Sequence, residues 1–153
     1  MTEQVKHETL VFERDISAPA ELVYRAFIDP DARSVWSSPS ENVTVRYEQS
    51  DACVGGRDVS VCSAPEQPDI RIEQIYCDLV DGRRVVFAET VETNGRRMAA
   101  SLVTAEMRDA EGGSKLIVTA QIAAFDGGGI IKGARFGWGG ALDRLREYVV
   151  RAV

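Results

Sequence analysis

The sequence predicts an α+β domain in which a curved antiparallel sheet wraps around one long C-terminal helix. Three features of the chain lead there. From residue 43 to residue 125 it reads as strand after strand, broken by turn residues such as Asp81-Gly82, Asn94-Gly95 and Gly112-Gly113. Only two short helical segments lie between the first strand and that run. The apolar stripe of a long helix occurs once, at the C-terminal end.

Residues 9–16 form the first strand. Leu10, Phe12 and Ile16 share one parity, as a half-buried strand requires, and Arg14 interrupts that parity with a charge. Ser17 or Ala18 then caps a helix over 19–28, with Pro19 at its first position and Glu21 in its first turn. Leu22, Val23, Ala26 and Phe27 fall on one side of it. Asp29-Pro30 ends this helix. A second, over 31–36, stops at Ser37-Ser38-Pro39.

Six strands follow, over 43–48, 56–62, 70–80, 84–92, 97–108 and 115–125. Short turns between so many strands imply an antiparallel meander. For 97–108 the alternation leaves the inner side open: either Met98 and Leu102, or Ser101, Val103, Ala105 and Met107. The closing helix spans 130–151, with Ala134, Trp138, Ala141, Leu142, Leu145 and Val149 on one face and Gly133, Gly137 and Gly140 along its margin. One antiparallel sheet has one face to cover, and this helix is the element with the apolar face to cover it. A curved sheet does not touch a straight helix along its whole length, so the sequence predicts a cavity between them. The division expected is a flexible tail over 1–8 and one domain over 9–153.

Composition narrows the function. The 153 residues carry 24 acidic and 18 basic side chains, a net charge of −6, which argues against nucleic acid and anionic lipid as partners. No apolar run approaches the roughly 20 residues that cross a bilayer, and MTEQVKHETL lacks the core of a signal peptide, so a cytoplasmic protein without membrane insertion is expected. Cys53, Cys62 and Cys77 have no metal-site spacing, and the last two are expected in or near the core. His7 is the only histidine, and it falls in the expected tail. Histidine-dependent triads and multi-histidine metal sites are thereby removed, and neither metal nor cofactor is expected.

Several short motifs together resemble one family. They are Arg14-x-Ile16-x-Ala18-Pro19, Val23-Tyr24-x-Ala26-Phe27, Asp29-Pro30, Trp36-x-x-Pro39, Val54-Gly55-Gly56-Arg57, and Gly137-Trp138 followed by Leu142-Asp143-Arg144-Leu145. In order, they resemble the START-like (SRPBCC) family of homologues of the heat-shock-protein-90 ATPase activator. The resemblance implies a helix-grip fold of order β-α-α-β6-α, with a pocket between the last helix and the sheet. Many members of the wider superfamily bind lipids, steroids or polyketides, and some are cyclases or hydrolases.

The candidate ligand-binding residues are Arg14, Trp36, Phe87, Glu89, Val103, Trp138 and Leu142. Arg14 and Glu89 each place a charge on an otherwise apolar parity; a buried charge needs a partner, so each is either reached by solvent or ligand, or paired inside. Trp36 either lines the pocket mouth or plugs the core, and Phe87 either packs or touches ligand. Trp138 is a wall of the cavity or ordinary core, with the neighbouring glycines serving a ligand or close packing. Three functions stay open: binding of a hydrophobic small molecule, cyclase or hydrolase chemistry resting on a carboxylate such as Glu89, and a co-chaperone-like interaction with a protein partner. No catalytic residue is assigned.

Overall fold

The computed structural model describes residues 4–153. The element order is β1 (Lys6–Ile16), α1 (Ala20–Ile28), α2 (Pro30–Trp36), β2 (Thr44–Gln49), β3 (Arg57–Ser63), β4 (Ile70–Val80), β5 (Arg84–Thr93), β6 (Arg96–Ala110), β7 (Gly113–Ala124) and α3 (Gly129–Arg151). The sheet has seven strands in the order β1-β7-β6-β5-β4-β3-β2, every neighbouring pair antiparallel. This is the predicted helix-grip arrangement.

β1 starts at Lys6, three residues before the expected strand, and carries His7 opposite Ala123. Residues 6–8 thus belong to the sheet; of the expected tail, residues 1–3 lie outside the described residues. The reason is register. β7 is long enough to pair β1 back to Lys6, so backbone hydrogen bonds order a segment with little apolar content. Asn94 and Gly95 both take positive φ, 53° and 73°, the geometry that closes a tight hairpin between β5 and β6.

Alternation separates the two faces of the sheet. Leu10 and Ile16 of β1, Leu116, Val118, Ala120 and Ile122 of β7, and Val103, Ala105 and Met107 of β6 are buried on the inner face. The second reading of β6 is therefore the correct one, and Leu102 points outward, 41% exposed. On the outer face Arg46, Glu48, Arg71, Glu73 and Arg57 form a chain of ion pairs beside the buried Val59. Cys62 is half-buried, but Cys77 is exposed, contrary to its expected place near the core.

The start of α1 is capped across the fold. Pro19 occupies the N-cap position with no side-chain cap of its own, and Asp109 of β6 accepts a hydrogen bond from the Ala20 N–H at 2.9 Å. The expected cap by Ser17 or Ala18 is replaced because the end of β6 brings a carboxylate to the helix N-terminus, where negative charge is favoured. α2 is capped locally, the Asp29 carboxylate accepting from the Asp31 N–H at 2.9 Å. It buries Ala32, Arg33 and Trp36.

α3 packs against β1, β7, α1 and α2, and it makes no comparable approach to β3, β4 or β5. Leu142, Leu145 and Val149 in its second half are fully enclosed. Ile130, Ile131, Ala134 and Trp138 in its first half are only half-buried against the core.

Candidate ligand-binding site

The region that α3 leaves uncovered is the inner face of β3, β4 and β5. Two registers cross it. One runs Ala120–Val103–Phe87–Tyr76, and the next runs Ile122–Ser101–Glu89–Gln74–Asp58. The first is apolar until Tyr76. The second turns polar as it leaves β7.

Arg33 reaches this polar end from α2. It is 4% exposed, and its guanidinium lies 5.9 Å from the Trp36 ring, 5.4 Å from the Tyr47 ring and 5.7 Å from the Phe87 ring. Each desolvated cation–π contact of this kind is worth about 2 kcal/mol. Arg33 Nη1 stands 3.6 Å from Asp58 Oδ2 and 3.4 Å from the Tyr76 hydroxyl. The Tyr76 O–H donates to Asp58 Oδ2 at 2.6 Å, and Asp58 Oδ1 accepts from the Asp51 N–H at 2.9 Å. Burial raises the Tyr76 pKa, and its bond to Asp58 adds to the shift while Arg33 opposes it, so the phenol stays protonated.

Glu89 lies one register position from Tyr76 and accepts from Gln74 Nε2 at 2.7 Å. The residue is half-buried. Loss of water raises its pKa, against the pull of Gln74 and Arg33. The result is a buried cluster of Arg33, Asp58, Gln74 and Tyr76, with half-buried Glu89 at its margin and aromatic rings at its edge.

The predicted site residues divide over this geometry. Phe87 and Glu89 belong to the cluster or touch its edge. Trp36 is 1% exposed, donates from Nε1 to the Ala26 carbonyl at 2.8 Å and packs edge-on against Phe27 at 5.0 Å, so it plugs the core beside Arg33. Val103 and Leu142 are fully buried. Trp138 is half-buried and packs against the core from the first half of α3. Arg14 lies at the other side of α3: its Nε donates to Asp143 Oδ1 at 2.9 Å and its Nη2 to the Gly139 carbonyl at 3.2 Å. It straps α3 to β1 and does not join Glu89. Sequence reasoning missed Arg33, Asp58 and Gln74, which look like ordinary surface residues of a short helix and two strands. Their signal is parity: Asp58, Gln74 and Glu89 sit opposite one another in register.

The glycines of α3 divide as well. A Cβ at Gly140 would lie 2.7 Å from the Pro39 carbonyl oxygen, so that glycine serves close packing. At Gly133 and Gly137 an added Cβ would meet nothing within 4 Å. Two concavities stand out on the surface, of about 450 Å³ and 210 Å³. The larger is flanked by His7, Thr9, Ala100, Leu102, Gln121 and Ala123, all on the outer face of the sheet; the smaller is lined by Arg83, Arg84, Glu106, Arg108, Lys115 and Ile117. Neither is the enclosed hollow expected between α3 and the sheet. The first half of α3 is less enclosed than the second: Ile130, Ile131, Ala134 and Trp138 pack against the core but stay half-buried.

A seven-stranded antiparallel sheet gripping a C-terminal helix, with a polar cluster on its concave side, defines a START-like helix-grip protein. The family profile described as "Activator of Hsp90 ATPase homolog 1-like protein" matches residues 17–150, and the chain belongs to that family. Among solved structures it is similar to a protein of Rhizobium leguminosarum, with 26% identity, TM-score 0.86 and 97% of each chain covered. The Mll3558 protein of Rhizobium loti shares 30% identity, with TM-score 0.84, over 95% of this chain and 99% of that one. An AHSA1-like protein of Aeromonas hydrophila shares 22% identity, with TM-score 0.71, over 95% and 94%. No curated protein matches the chain. No helix among the described residues is long and apolar enough to cross a membrane.

Proposed function

We propose that the protein binds a hydrophobic small molecule, lipid-like or polyketide-like, along the seam between the first half of α3 and the inner face of β3–β6. The observation that carries this reading is the uneven seating of α3. The apolar face of its second half is fully packed, whereas Ile130, Ile131, Ala134 and Trp138 remain half-buried, and the half-buried Gly137 beside Trp138 has open space at its Cβ position. Each interior glycine costs a helix roughly 1 kcal/mol relative to alanine. At Gly140 close packing against Pro39 accounts for it; at the half-buried Gly137 no neighbour does. An apolar guest in the seam would cover the half-buried side chains, at about 25 cal/mol per Å² of apolar surface removed from water.

Titration with the uncharged fluorophore N-phenyl-1-naphthylamine tests the reading. Saturable binding with energy transfer from Trp138 is expected, and Gly137→Leu should abolish it while leaving the far-ultraviolet circular dichroism unchanged. Binding that is absent, or indifferent to Gly137→Leu, would remove the seam as the site. A second reading, an enzyme of the cyclase or hydrolase type, is favoured by one observation: the desolvated Glu89 carboxyl lies beside Tyr76 and within the field of Arg33. That pairing is suited to general acid–base work. It requires that Glu89→Gln keep probe binding and lose turnover of a bound aryl ester; equal turnover in both proteins sinks it.

A further inference from the structure

The buried cluster contains two polar atoms without partners, and they are of opposite kind. Arg33 Nε is a donor and Gln74 Oε1 is an acceptor, both enclosed and both unpaired among the described residues. Each belongs to a side chain 4% exposed. A buried polar atom left unsatisfied costs about 1–3 kcal/mol, and native structures hold few of them. The neighbours are already committed. Both Asp58 oxygens accept hydrogen bonds, and Gln74 Nε2 is turned to Glu89.

Charge decides what kind of group could satisfy both atoms. The cluster sets one guanidinium against two carboxyl groups, Asp58 and Glu89, so it has no spare positive charge for an anion. An added carboxylate or phosphate would be a buried negative charge without a partner, a penalty of several kcal/mol. A cation would stand against the N–H of Arg33 Nε. A hydroxyl is neutral and has the two functions required, one O–H to donate and lone pairs to accept.

We propose that Arg33 and Gln74 together receive the hydroxyl group of an otherwise apolar ligand, its oxygen accepting from Arg33 Nε and its O–H donating to Gln74 Oε1. The inference rests on the reading that the apolar body of that ligand lies along α3. Glu89 and Ser101 connect the two regions, since their register row leads from Gln74 to β7, on which α3 packs. The rings of Trp36, Tyr47 and Phe87 around Arg33 provide a wall suited to an alcohol or phenol.

Four probes with one apolar body and different heads test it: naphthalene, 2-naphthol, 2-naphthoate and 2-(aminomethyl)naphthalene, each titrated into the full chain at pH 7 by isothermal calorimetry. 2-Naphthol should bind at least tenfold tighter than naphthalene and tighter than either ion. Gln74→Met should bring 2-naphthol down to the naphthalene affinity and leave naphthalene unchanged; should that variant not fold, the wild-type series decides alone. Equal affinity of 2-naphthol and naphthalene would mean that water satisfies the two atoms, and it overturns this inference while the seam stands. Preference for 2-naphthoate or the amine overturns it as well. If none of the four binds, the seam reading falls, and the hydroxyl site falls with it.

Discussion

Arg33 decides the character of the interior. A guanidinium 4% exposed is tolerable only because three rings, a phenol and a carboxylate surround it. Asp58 depends most on Tyr76, its 2.6 Å donor. Tyr76→Phe should therefore destabilise the protein by about 1.5–3 kcal/mol in urea denaturation, the range for hydrogen bonds to charged groups. A change below about 0.5 kcal/mol, the usual scatter of surface substitutions, would show that the cluster is held by packing alone. Glu89 adds a pH dependence. Its folded pKa lies above the reference value of 4.5, chiefly because burial desolvates it. The folded state therefore binds the proton more tightly than the unfolded chain does, so stability falls as pH rises from the unfolded value through the folded one. Glu89→Gln should equal the wild type below about pH 4 and exceed it in Tm at neutral pH, the gap opening with rising pH; a gap that closes as pH rises would contradict the desolvated carboxyl. This cluster was only partly legible in the sequence. Glu89 showed itself by breaking an apolar parity, but Asp58 and Gln74 acquire meaning only through cross-strand register, and Arg33 only through the angle at which α2 meets the sheet.

The elements differ in how firmly they are seated. α3 is held in its second half by Leu142, Leu145 and Val149 and at its margin by the Arg14–Asp143 pair. Asp143 is 55% exposed in that pair, so the strap itself contributes about 0–1 kcal/mol. The glycines offer a sharper test. Gly137→Ala should raise stability by up to about 1 kcal/mol through helix propensity, since its Cβ enters open space. For a chain of this size that is roughly 2–4 °C in Tm. Gly140→Ala should lower Tm, because its Cβ would meet the Pro39 carbonyl at 2.7 Å and backbone would have to shift. Thermal scans of the two variants with opposite signs are expected; matching signs would refute the division of the glycines into seam and contact. The three glycines look alike in sequence, and their spacing alone does not tell a close approach from an opening.

Across the whole molecule, order should grade from the sheet centre outward. β5, β6 and β7 are paired on both edges and bury Val85, Phe87, Val103, Leu116 and Val118 completely. Amide hydrogen exchange should be slowest there, near the rate set by global unfolding, and faster in residues 129–137 of α3 than in 141–149. Uniform protection along α3 would contradict its uneven seating. The proposed binding site would then lie at the less enclosed half of α3, against the more rigid sheet.

By itself the sequence determined the element order, the antiparallel meander, the gripping helix and the family, because these depend on local periodicity, turn chemistry and short motifs read in order. It also singled out Glu89 by its conflict with the apolar parity around it, and Trp138 by the glycines beside it. Only the tertiary structure decided that Arg14 ties α3 to β1, that Trp36 plugs the core, that Asp109 caps a helix far from it in the chain, and that Arg33, Asp58, Gln74 and Tyr76 converge. Each of these depends on strand register, sheet curvature or the docking of a helix. Such relations join residues distant along the chain, and no local pattern encodes them.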